Sequence, residues 1–104
     1  FFQLGLLHYN DRNSSKAIEA LEQAVRLENQ YANARYFLGL SYDRLGKTNE
    51  AIAQFEEIHK TNSDNAEVKL ILENLRSGRT AFARVEPPLD DKPEKRQNPP
   101  VSEE

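Results

Sequence analysis

Apolar residues recur along this chain at three- and four-residue spacing, and no stretch alternates in the manner of a strand. Ala17, Leu21, Ala24 and Val25 share one face of a predicted helix over 14–27. Ala51, Ile52, Phe55 and Ile58 do so over 49–60, and Val68, Ile71, Leu72 and Leu75 over about 65–76. Two more helices are predicted at 1–10 and 33–45. Ser14 and Thr48 are N-cap residue types at the starts of the second and fourth helices. Asp64 and Glu67 make a capping-box-like start to the fifth. Gly46 and Gly78 follow the third and fifth, where a left-handed residue ends a helix cheaply. The connections are short, so successive helices are expected to pack as antiparallel hairpins.

Gly39 interrupts this pattern. Inside a helix it costs about 1 kcal/mol relative to alanine. Its tripeptide, Leu38-Gly39-Leu40, also occurs as Leu4-Gly5-Leu6, 34 residues earlier. The same shift places Ala17 on Ala51, Ile18 on Ile52, Glu22 on Glu56 and Ala32 on Ala66. Ser14 falls on Thr48 and Leu21 on Phe55. So many positions sharing one period define an internal repeat of two helices per unit.

The repeat resembles the tetratricopeptide repeat (TPR) over about residues 1–77. Its second copy carries Leu38-Gly39, Tyr42, Ala51 and Phe55 at the family's spacing, with Arg35 in the usual tryptophan place. The first carries Phe1, Leu4-Gly5, His8, Ala17 and Leu21. Asn29 and Ser63 stand where the family has its closing proline. The resemblance implies an all-α fold of antiparallel helix-hairpin repeats, a right-handed α-solenoid with two TPR-like units and a C-terminal capping helix. Repeat one spans 1–31 with a shortened first helix, repeat two 32–65, the cap 66–77, and the helical domain 1–78. The paired small residues Gly5 with Ala17 and Gly39 with Ala51 are expected to let the hairpin backbones approach closely. Arg12 aligns with Gly46, so a left-handed Arg12 is expected, at a cost of roughly 1 kcal/mol.

In this family the first helices line a groove for peptides. Carried over position by position, the groove presents Phe2, Gln3, Leu6 and Tyr9 from repeat one. Repeat two contributes Asn33, Tyr36, Phe37, Leu40 and Asp43, and the fifth helix Glu67, Leu70 and Asn74. Phe2 and Leu6 occupy places where carboxylate-binding members carry polar groups, so the groove is expected to be apolar and aromatic. Two readings of these residues stand side by side: peptide anchors, led by Tyr36 and Phe2, or burial against neighbouring helices.

Composition narrows the function. The net charge is -3 in 104 residues, and it arises wholly after residue 85. A neutral body offers no footprint for nucleic acid or anionic lipid. No run of apolar residues is long enough to span a membrane. Cysteine is absent, which removes disulfides and thiolate metal sites but leaves the compartment open. A cytoplasmic module is favoured, with tethering to a membrane protein as the other case. His8 and His59 lack base or metal partners in sequence, and no nucleotide-loop or hydrolase motif occurs. No enzyme activity, metal or cofactor is expected. All five prolines fall between 87 and 100, so residues 79–104 read as a Pro-rich, charged, disordered tail. Within it, Thr80 to Val85 carries Phe82 and Val85 and could fold back onto the helices. The function expected is a protein–protein interaction scaffold whose partner is a protein or peptide. Two alternatives are a structural C-terminal appendage of a larger bacterial membrane or envelope-assembly protein, and self-association through the N-terminal edge. The start at Phe1 and the lack of methionine fit a piece of a longer chain.

Overall fold

The computed structural model describes residues 1–83. They form α1 (Phe2–Asn10), α2 (Ser14–Leu27), α3 (Ala32–Arg44), α4 (Thr48–Thr61) and α5 (Ala66–Arg76). Each helix packs on the next, and α1 also meets α3. This is the arrangement of stacked hairpins, with first helices α1 and α3 side by side. The expected tail from residue 84 onward lies outside the described residues.

The helix ends repeat as faithfully as the helices. Asn13, Lys47 and Arg79 each donate a backbone N–H to the carbonyl five residues back, at His8, Tyr42 and Asn74. Arg12, Gly46 and Gly78 donate to Tyr9, Asp43 and Leu75. This paired pattern is the Schellman closure, and its pivot must be left-handed. The pivots have φ of 63°, 75° and 82°, so Arg12 adopts the strained conformation expected of it.

The helix starts differ from expectation by one residue. Asn13, not Ser14, caps α2 by accepting from the Lys16 N–H, at 3.2 Å. Asn65, not Asp64, caps α5 by accepting from Val68 N–H, at 3.1 Å. Ser14 has already entered the helix and is buried. Thr48 likewise opens α4, behind Lys47, which makes no side-chain cap. The cap must lie outside helical dihedrals for its oxygen to reach forward, and the asparagines hold that place.

The seam within each hairpin is built by unequal partners. A methyl group on Gly5 would lie 2.5 Å from Leu21 Cγ, and one on Gly39 would lie 2.5 Å from Phe55 Cε2. The expectation paired the glycines with Ala17 and Ala51. Those alanines are fully buried, but the large residue one turn later is what covers each glycine. Leu21 and Phe55 join Leu38, Leu40, Val68, Ile71 and Leu75 in one continuous core.

Candidate partner-binding groove

The first helices carry a ladder of aromatic rings. Phe2 lies 4.9 Å from Tyr31 and 6.3 Å from Phe37 between centroids. Phe37 meets Tyr9 edge-on at 5.1 Å and Tyr36 at 5.2 Å, and Tyr36 meets Phe55 at 5.8 Å. Tilted and edge-on pairs suit the ring quadrupoles. Sequence spacing explains the ladder: Phe2 and Tyr9 are two turns apart on α1, and Tyr36 and Phe37 sit centrally on α3. The Arg44 guanidinium closes one end, 3.7 Å above the Tyr9 ring, and its Nη1 donates to the Tyr9 carbonyl oxygen at 2.8 Å. Arg44 was not among the expected groove residues, although it lies seven positions after Phe37 and so on the same face.

The expected site residues occupy three depths. Asn33, Gln3 and Glu67 are exposed. Phe2, Leu6, Tyr36, Phe37, Asp43 and Leu70 are half-buried. Tyr9 and Leu40 are only 2% exposed and Asn74 is fully buried. Tyr9 and Leu40 therefore belong to the core and present almost no area of their own.

Burial sets the ionisation of this face. It raises the Tyr36 phenol well above its ordinary range, and the nearby Glu67 carboxylate adds to the effect. The Tyr36 hydroxyl is buried, with the Glu67 carboxylate nearby. Burial also raises Tyr9, with Arg44 opposing it. Asp43 is raised above the usual aspartate range by burial, while the Ala81 N–H and Arg44 pull it back. On the other side of α3, burial and a hydrogen bond to Glu22 raise Tyr42.

The far end of the face is already occupied. The segment after α5 turns back, with Ala83 N–H donating to the Thr80 carbonyl at 3.2 Å. Ala81 is fully buried there. Its N–H donates to Asp43 Oδ2 at 3.1 Å, and its carbonyl accepts from Asn74 Nδ2 at 3.1 Å. Phe82 packs against the core beside it. Residues 79–83, assigned by sequence to the tail, thus belong to the helical body, and the fold-back considered for Thr80 to Val85 is seen as far as Ala83. The backbones of α3 and α5 do not approach as closely as those of α1 and α3. Ala81 is hydrogen-bonded to both.

His8 and His59 are half-buried on separate helices, and His59 Nδ1 is buried without a partner. Among the described residues no three His, Asp or Glu side chains gather to hold a metal ion. None of the helices there is long and apolar enough to cross a membrane.

A family model described as tetratricopeptide repeat matches residues 2–67. No curated protein and no solved structure matches the chain.

Proposed function

We propose a partner-binding role from one premise: the chain belongs to the tetratricopeptide repeat family. Modules of this family generally mediate protein–protein interaction, and they are typically non-catalytic. In this chain the receiving surface is the face shared by α1 and α3. Phe2, Leu6, Tyr36 and Phe37 supply half-buried apolar area, and Gln3 and Asn33 form an exposed polar rim. A half-buried aromatic centre with a polar rim is the usual anatomy of a binding patch. The observation that carries the reading is the aromatic ladder from Phe2 through Phe37 to Tyr36.

The test uses rim positions, because truncating buried Leu40 would unseat the core by roughly 2–5 kcal/mol. Gln3→Arg and Asn33→Arg leave the core intact and crowd the face. Both should weaken recovery of protein partners, while Ala53→Arg, exposed on α4, should not. Equal recovery with all three would remove the groove assignment.

A second reading rests on the N-terminal face. Phe1, Leu4 and Leu7 are 61%, 47% and 55% exposed. Leu4 is the repeat counterpart of Leu38, which is 2% exposed on α3, the helix against which α2 packs. Self-association would cover this face, and sedimentation that rises with concentration would support it. A monomer at every concentration would end it.

A further inference from the structure

We propose that Asp43 and Asn74 form a main-chain clamp for a short peptide turn, and that the chain's own Thr80–Ala83 occupies it as a stand-in for a partner's segment. This rests on the reading of the first-helix face as a partner surface and names the ligand chemistry at one end of it.

The clamp holds a single residue from both sides. Asp43 on α3 takes the N–H of Ala81 and Asn74 on α5 gives to its carbonyl oxygen. The Asn74 amide is itself oriented, since Arg79 Nε donates to its Oδ1 at 3.3 Å. Both bonds go to main chain, so they select a backbone geometry rather than a side chain. Side-chain selection comes from space: the clamped residue is fully buried and is an alanine, and the next is a half-buried phenylalanine. The occupant that fits is a partner segment with a small residue followed by an aromatic one in a tight turn. Burial of an unsatisfied polar group is costly, so the Asn74 amide favours an occupied clamp.

The resident segment is a small one to displace. Its link to the body beyond α5 is one short turn, and its anchors are two hydrogen bonds, the buried Ala81 methyl group and one half-buried ring. Tethering gives it an effective concentration on the order of millimolar, so an incoming peptide competes at a disadvantage until the segment is displaced.

The experiment uses the whole chain and a fluorescent peptide of residues 78–83, capped at both ends. Ala81→Glu puts a charged side chain where a fully buried methyl group alone fits, so the segment should release. With helical content unchanged by circular dichroism, A81E should bind the peptide at least tenfold more tightly than the unmodified chain. Adding Asn74→Leu should abolish that gain. Equal binding by the unmodified chain and A81E overturns the proposal, since the resident segment would then not occupy the peptide's site, and leaves the groove reading intact. Binding by neither makes the segment a fixed strap and overturns the proposal, while the groove reading is decided separately by Gln3→Arg and Asn33→Arg. If A81E does not fold, native-state hydrogen exchange of the unmodified chain decides: the Ala81 amide should open well before that of Leu38. Exchange of Ala81 only on global unfolding overturns the proposal.

Discussion

The ring of Phe55 lies directly over Gly39, with its Cε2 2.5 Å from where a methyl group on that glycine would stand. The helix penalty at Gly39 is thus offset by a contact that no other residue allows. Gly39→Ala gains helix propensity yet forces a fully buried ring aside, and overpacking typically costs about 1–3 kcal/mol. Urea denaturation should show net destabilisation, and Phe55→Leu should recover part of it in the double variant. Additive losses would show that the two residues do not meet.

Arg12 and Gly46 occupy the same place in successive hairpins, both left-handed. Arg12→Gly should raise the melting temperature, since a non-glycine residue there costs roughly 1–2 kcal/mol. Gly46→Ala should lower it, even though nothing lies within 4 Å of the added methyl group. The opposite signs identify backbone strain as the cause.

Arg35 and Asn29, both departures from the family pattern, bond to each other. Arg35 Nε donates to the Asn29 carbonyl at 3.1 Å, Nη2 to its side chain, and Nη1 to Gln54 Oε1 at 2.9 Å. The fork ties the α2–α3 connection to α4. Lysine cannot reproduce three fixed donors. Arg35→Lys and Arg35→Ala should therefore lose similar stability in urea denaturation, about 0.5–1.5 kcal/mol.

Burial raises Asp43 above its unfolded value, so the folded state binds its proton more readily. The sign follows from linkage: Asp43 subtracts stability at neutral pH, and the loss is recovered as pH falls through its raised value toward the ordinary aspartate range. Asp43→Asn keeps an acceptor for the Ala81 N–H and has no proton to bind. Denaturation midpoints across this window should rise on acidification in the unmodified chain relative to Asp43→Asn. A smaller or reversed rise would contradict the assignment.

The sequence announces the helices because each buries one face at helical period, and the 34-residue echo announces their stacking. The partner of each glycine was not legible. Alignment pairs small residues with small ones, but the crossing of two helices decides which side chain reaches over the gap, and there it is Leu21 and Phe55. The depth of Tyr9 and Leu40 was hidden for a similar reason: repeat position gives a face, while neighbours decide exposure. In the segment Thr80–Ala83 only Phe82 carries a local apolar signal. Its anchoring through Ala81 depends on Asp43, 38 residues away, and no local pattern carries that.

The central claim is that partners dock on the face of α1 and α3. A photo-crosslinking residue at Asn33, exposed on that face, and another at Ala53, exposed on α4, test it most directly when partner capture is followed by irradiation. Partner adducts are expected from position 33 and none from position 53. Adducts from position 53 alone would contradict it.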